Sequence, residues 1–139
     1  MARTVEEIMT RDPRTVDAGD TVVDAARVMR DADIGDVVVM ENGQVTGIVT
    51  DRDIVVRAIA EGRDPGSTSV SEVCTTGVET AEASASVDDA LRIMREHDIR
   101  RLPVVKNGRP VGIISLGDLA VEREPESTLA DISAASPDQ

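Results

Sequence analysis

The 139-residue chain contains no phenylalanine, tyrosine or tryptophan, and only one cysteine and one histidine. The missing rings remove the usual means of holding single-stranded nucleic acid, which stacks bases on aromatic side chains. They also leave the core to Val, Ile, Leu, Ala and Met, within a hydrophobic share of 40%. Small branched side chains of this kind suit short strands packed under helices. The lone Cys74 forms no internal disulfide, and one Cys with one His argues against a Cys/His zinc site, so no metal is expected. Basic residues are scarce too: 15 Lys and Arg stand against 27 Asp and Glu, for a net charge of −12. Duplex binding needs the opposite balance, so nucleic acid is not an expected partner, and the acidity reads as solubility. No apolar run approaches the roughly 18 residues of a membrane span. The N-terminus carries no signal-peptide pattern, and a soluble cytoplasmic protein without a membrane partner is expected.

What the chain does contain is itself, twice. A shift of 65 residues aligns Thr4–Ile54 with Ser69–Leu119 without a gap, and a little over a third of the pairs are identical. VEEIMT matches VSEVCT, DAARVMRDADI matches DALRIMREHDI, and VVVMENGQVTGIVTDRDI matches LPVVKNGRPVGIISLGDL. This implies duplication and two equal subdomains, residues 4–62 and 69–122, joined by a polar Gly/Pro linker at 63–68. Each copy opens on a helical turn with a capping box, Thr4-x-x-Glu7 or Ser69-x-x-Glu72. An extended piece follows near Thr15-Val16 or Thr80-Ala81. The main helix starts at Thr21 or Ser86 and shows one apolar stripe: Val22, Ala25, Ala26, Met29, or Val87, Ala90, Leu91, Met94. Two strands then flank Asn42-Gly43 or Asn107-Gly108, a type I′ hairpin signal. A last helix begins at Thr50 or Ser115, and in the first copy it stops at Gly62. The acidic tail 123–139 reads as solvated, with a short docking helix from Glu126 to Ala135 through Leu129 and Ile132.

The order strand–helix–strand–strand–helix, twice, ending in Gly-Ile-Val-Thr-Asp-Arg-Asp-Ile and Gly-Ile-Ile-Ser-Leu-Gly-Asp-Leu, resembles a tandem pair of CBS (cystathionine β-synthase) domains, a Bateman module, over about residues 4 to 122. The resemblance implies an α/β fold of two β-α-β-β-α subdomains related by a pseudo-twofold axis. It also implies a cleft for adenosine-containing ligands: AMP, ADP, ATP or S-adenosylmethionine.

Two Ser/Thr-x-x-Asp pairs, Thr50 with Asp53 and Ser115 with Asp118, are the sharpest candidates. The resemblance gives the Asp to ribose hydroxyls and the hydroxyl side chain to phosphate. The physics is coherent, because a carboxylate accepts from both vicinal hydroxyls and the first turn of a helix offers free N–H groups. The same pattern is also a capping box with Asp in place of Glu, so the residues alone leave cap and ligand contact both open. The second candidate is charge. Arg92, Arg95, Arg100, Arg101, Lys106 and Arg109 face only Glu96 and Asp98, a local +4 in an acidic chain. Arg100 and Arg101 stand where family members often reach phosphate; the first copy has Gly35 and Asp36 there. The resemblance puts the base near Thr80, Ala81, Ile99 and Pro103, or near Thr15, Val16, Ile34 and Val37. In a crossed arrangement, one site joins Thr50 and Asp53 to Thr80, Ala81, Ile99, Arg100, Arg101 and Pro103. The other joins Ser115 and Asp118 to Thr15, Val16, Ile34, Gly35, Asp36 and Val37. A same-copy arrangement stays open. His97, between Glu96 and Asp98, reads as solvated.

Three functions follow: a regulatory sensor of adenosine nucleotides, a ligand-independent dimeric scaffold, or an enzyme. No Ser/His/Asp set, metal cluster or Walker loop supports the enzyme. The expectation is a non-catalytic homodimer that needs no cofactor and signals to a separate effector protein.

Overall fold

The computed structural model describes residues 3–123. The tail and its expected helix from Glu126 to Ala135 lie outside the described residues. In chain order the elements are α1 (Val5–Ile8), β1 (Thr10–Arg11), β2 (Thr15–Asp17), α2 (Val22–Ala32), β3 (Asp36–Glu41), β4 (Gln44–Thr50), α3 (Asp51–Ile54), β5 (Thr75–Thr76), β6 (Ala81–Glu82), α4 (Val87–His97), β7 (Arg101–Lys106), β8 (Arg109–Ser115) and α5 (Leu116–Arg123). A π-helical turn, Val55–Ile59, continues α3, and a 3₁₀ turn spans Val70–Glu72. Both copies therefore show the expected strand–helix–strand–strand–helix order, in an α/β fold. Among the described residues no helix is long and apolar enough to cross a membrane.

The local signals act as their chemistry dictates. Thr21 Oγ1 accepts from the Asp24 N–H at 3.1 Å, and the Asp24 carboxylate accepts from the Thr21 N–H at 3.0 Å. Ser86 caps α4 through the Asp89 N–H at 3.0 Å. Backbone N–H donation from Thr4, Thr21 and Ser69 is the main reason that Glu7, Asp24 and Glu72 titrate below the usual carboxylate range. Helices α2 and α4 end on left-handed Asp33 (φ 56°) and Asp98 (φ 53°). Asn42 (φ 54°) with Gly43 (φ 78°), and Asn107 (φ 53°) with Gly108 (φ 79°), make the two hairpin turns. The apolar stripe is narrower than its spacing suggests. Val22, Ala25 and Met29, like Val87, Ala90 and Met94, are buried, but Ala26 is exposed. Position 26 lies at the border of the face, where a methyl group is too short to reach the sheet; the longer Leu91 at the same place packs partly into the core.

The chain forms two compact units that do not follow the repeat boundaries. A continuous unit runs from Arg14 to Val78, and a split unit joins the segment up to Pro13 to the chain from Glu79 onward. The sheet order β2-β3-β4-β5 belongs to the first and β1-β8-β7-β6 to the second. Each opening segment thus completes the sheet of the other copy. Thr75 and Thr76 pair antiparallel with Ile48 and Gly47; Thr10 and Arg11 pair with Ile113 and Gly112. Val70, Val73 and Cys74 enter the core under α2, and Val5 and Met9 enter the core under α4. The segment 63–68 is a packed part of the continuous unit. The Pro65 and Thr68 carbonyls accept from Val23 (3.2 Å) and Val22 (2.9 Å), and Thr68 is only 4% exposed.

The crossing point needs glycine. A Cβ on Gly47 would stand 2.4 Å from the Thr75 carbonyl oxygen, and one on Gly112 would stand 2.4 Å from the Met9 sulphur and 2.7 Å from the Thr10 carbonyl oxygen. Neither Gly47 nor Gly112 has positive φ, so the constraint is close approach of backbone. We expect Gly47→Ala to lose about 1–3 kcal/mol, as overpacking does. Gly19→Ala, with nothing within 4 Å of the added methyl, should stay within about 0.5 kcal/mol. Urea denaturation followed by far-ultraviolet circular dichroism measures both.

Candidate functional site

The two Ser/Thr-x-x-Asp pairs sit where the second hairpin strand turns into the last helix. In the continuous unit Thr50 ends β4 and caps α3. Its N–H donates to Asp53 Oδ2 at 2.9 Å, and the Asp53 N–H returns to Thr50 Oγ1 at 3.0 Å. In the split unit the Ser115 N–H donates to Asp118 Oδ2 at 3.0 Å, and the Asp118 N–H donates to Ser115 Oγ at 3.0 Å. The capping chemistry is therefore present in both. It occupies one oxygen of each carboxylate and leaves the other to accept. The second oxygen of Asp53 lies 3.9 Å from Arg57 Nε, with the Asp53 side chain 14% exposed. Arg57 is itself steered by the Val73 carbonyl at 3.2 Å, so the segment completing the sheet also positions a cation beside Asp53.

Hairpin register decides what lies beside each pair within its unit. Asp36 is the strand partner of Thr50, and the Asp51 N–H donates to the Gly35 carbonyl at 3.0 Å. Arg101 is the partner of Ser115, and the Leu116 N–H donates to the Arg100 carbonyl at 2.8 Å. The structure thus brings Thr50 and Asp53 together with Gly35 and Asp36, and Ser115 and Asp118 together with Arg100 and Arg101. Asp51, aligned with Leu116, is an addition that motif reading passed over. A Cβ on Gly35 would meet its carboxylate oxygen at 3.2 Å, so Gly35 leaves space for that charge. The mouth of the continuous unit then carries Asp36, Asp51 and Asp53 against Arg52 and Arg57, net −1. That of the split unit carries Arg100 and Arg101 against Asp118, net +1.

The residues expected around a base divide by burial. Val16 and Val37 are 6% and 0% exposed and belong to the core under α2; Ala81, 2% exposed, belongs to the core under α4. Their side chains are committed to packing, and what they offer outside is backbone. Ile34 and Ile99 are half-buried against the same cores. Thr15 is exposed, Thr80 half-buried and Pro103 buried on β7. Thr15 and Val16 pair in parallel with Val38 and Val39, and Ala81 with Val104, so each first strand lies beside the hairpin strand carrying the other base residues of its unit. Exposed His97 lies 3.5 Å from Glu79. Among the described residues no three of His, Cys, Asp or Glu are grouped to hold a metal.

The sequence model of the CBS domain family matches residues 5–59 and 70–123. The chain is 43% identical over 119 residues to the CBS domain-containing protein YhcV of Bacillus subtilis, covering 86% of this chain and 84% of that protein. Two solved structures are similar. Hypoxic Response Protein I, described with two coordinated zinc ions, superposes with a TM-score of 0.75 at 34% identity, over 85% of this chain and 97% of that one. The CBS domain pair of MJ0100, in complex with 5′-methylthioadenosine and S-adenosyl-L-methionine, gives a TM-score of 0.78 at 25% identity, over 91% and 100% of the two chains.

Proposed function

Starting from the fact that this chain belongs to the CBS domain family and carries the domain as a tandem pair, we propose that it is a regulatory module that binds adenosine-containing ligands and signals to a separate protein. The observation that carries this reading is the Ser/Thr-x-x-Asp box built at the same place in both units. In each, one carboxylate oxygen is fixed by a backbone N–H and the second is left to accept from ribose hydroxyls. The MJ0100 pair, of the same family, holds two adenosine derivatives, which supports the ligand class. Arg100 and Arg101 add the bidentate donors that phosphate prefers, while Asp36 and Asp51 repel it. A phosphorylated adenosine such as AMP, ADP or ATP therefore depends on the arginines, and the acidic mouth suits adenosine derivatives without phosphate, the sulphonium cation of S-adenosylmethionine included.

Asp53→Ala removes a charged acceptor and leaves the apolar surroundings in place. S-adenosylmethionine affinity should fall by roughly 10- to 150-fold, the worth of hydrogen bonds to a charged group. Asp24→Ala, which removes the corresponding cap residue of α2, should unfold earlier yet bind S-adenosylmethionine as the wild type does. Calorimetric titration beside thermal melts separates the two effects. Equal S-adenosylmethionine affinity in wild type and Asp53→Ala would exclude Asp53 from the site, and a wild type that binds neither AMP nor S-adenosylmethionine would favour a scaffold.

One observation supports association of whole chains. On the helical turn after α3, Val55, Val56 and Ile59 are 58%, 45% and 53% exposed, while Ile54 and Ala58 on the other edge are buried. We infer a homodimer through this apolar edge, which offers a self-complementary patch. Light scattering should give about twice the 14.8 kDa chain mass, and Val55→Glu with Ile59→Glu should return a monomer. A wild-type monomer at high micromolar concentration contradicts it.

A further inference from the structure

A cavity of about 320 Å³ opens in the continuous unit, away from the Ser/Thr-x-x-Asp box. Val39, Val45 and Val78 supply apolar lining; Ser71, Cys74 and Thr76 come from or next to the exchanged segment; Glu41 stands at the end of β3. The volume falls in the lower range of small-molecule pockets, roughly 300–1,000 Å³.

The repeat shows why this space exists. At the 65-residue offset Glu41 corresponds to Lys106, Ser71 to Glu6, Cys74 to Met9 and Thr76 to Arg11. In the split unit Lys106 Nζ lies 3.5 Å from Glu6 Oε2, Arg11 donates to the Glu6 carbonyl at 3.4 Å, and the Met9 sulphur rests against Gly112. Long side chains and an ion pair thus occupy the corresponding place. In the continuous unit all four are replaced by shorter or oppositely charged residues. The charge on the hairpin strand is reversed and its partner on the opening segment is now a neutral serine. Among the described residues the Glu41 carboxylate has neither an ion pair nor a hydrogen bond. An adjoining groove shares Ala18, Glu41 and Ser71 and adds Asp17, and among the described residues no Lys or Arg lines either space.

We propose that this cavity binds a small aliphatic ammonium ion. Its charge pairs with Glu41 as Lys106 pairs with Glu6, its alkyl chain covers Val45 and Val78, and the hydroxyls of Ser71 and Thr76 accept its remaining N–H bonds. Apolar contact and charge act together here, because an exposed carboxylate alone holds a cation weakly in water. None of these residues belongs to the nucleotide reading, so the two stand or fall separately.

Cys74 lines the cavity and is the only cysteine, which makes it a built-in reporter. The protein is treated at pH 8.5, since burial raises the Cys74 thiol above its usual range. The reagents are 2-(trimethylammonio)ethyl methanethiosulfonate and, separately, 2-sulfonatoethyl methanethiosulfonate; each forms a mixed disulfide and releases methanesulfinate. Mass spectrometry follows the rates. The ratio of cation to anion rates, divided by the same ratio for free 2-mercaptoethanol, should be at least about fivefold, the order expected for one nearby carboxylate. Glu41→Gln should collapse that ratio. Glu61→Gln, which changes net charge equally but lies outside the cavity, should preserve it. n-Butylammonium chloride should slow the cationic reagent, and sodium butyrate at equal ionic strength should not. Equal rates for the two reagents after that division, a ratio that survives Glu41→Gln, no protection by n-butylammonium, or no modification by either reagent would each overturn the proposal.

Discussion

The rest of the structure depends on the place where an opening segment from one repeat lies across a glycine in the hairpin of the other. Thr75 over Gly47, and Met9 with Thr10 over Gly112, leave no room for a Cβ at either glycine. The exchange brings Val70, Val73 and Cys74 into one core and Val5 and Met9 into the other. Each such side chain contributes roughly 1.5–3 kcal/mol by burial. Two or three of them match a large part of the roughly 5–15 kcal/mol that holds a domain together. A copy defined by the sequence repeat would therefore lack the strand and the core residues that make it stable.

The same exchange carries chemistry. The apolar residues of the two opening segments are interchangeable in kind, so both units close alike. Their polar residues are not. Glu6 arrives beside Lys106 and pairs with it while Arg11 donates to the Glu6 carbonyl, whereas Ser71 and Thr76 line a cavity with Glu41. At the other end of the hairpins, Arg100 and Arg101 face Ser115 while Gly35 and Asp36 face Thr50 and Asp51. Duplication preserved the scaffold, and the charged positions along it diverged. Two copies of one fold thereby present opposite fields to whatever approaches their mouths, and a charged ligand meets them unequally.

Much of this was legible from the residues. The Asn-Gly turns, the Thr21 and Ser86 caps and the hairpin strands need only local chemistry, and each forms as its sequence dictates. The Ser/Thr-x-x-Asp pairs also stood out, though the two roles weighed for them use different oxygens of one carboxylate: the cap takes one and leaves the other. The exchange was not legible. Strands β1 and β5 are two residues long, and Met9 and Cys74 are apolar enough to serve either core, so periodicity carries no sign of which hairpin they join. Asp51 was missed because it matters through its approach to Gly35, a contact between positions that share no motif. Ala26 followed the spacing of the buried face and still lies exposed, because its methyl group is too short. The π-helical turn that sets Val55, Val56 and Ile59 outward depends on packing beyond the reach of a 3.6-residue period.

The exchange is tested most directly by methyl nuclear Overhauser spectroscopy. The chain has 5 methionines and no aromatic residues, so methionine-methyl labelling gives a short, well-dispersed set of signals, and Met9→Leu identifies the Met9 resonance by its loss. The account predicts cross-peaks from the Met9 methyl to the α-protons of Gly112 and none to those of Gly47. Cross-peaks from Met9 to Gly47, with none to Gly112, would show that each repeat completes its own sheet and would contradict it.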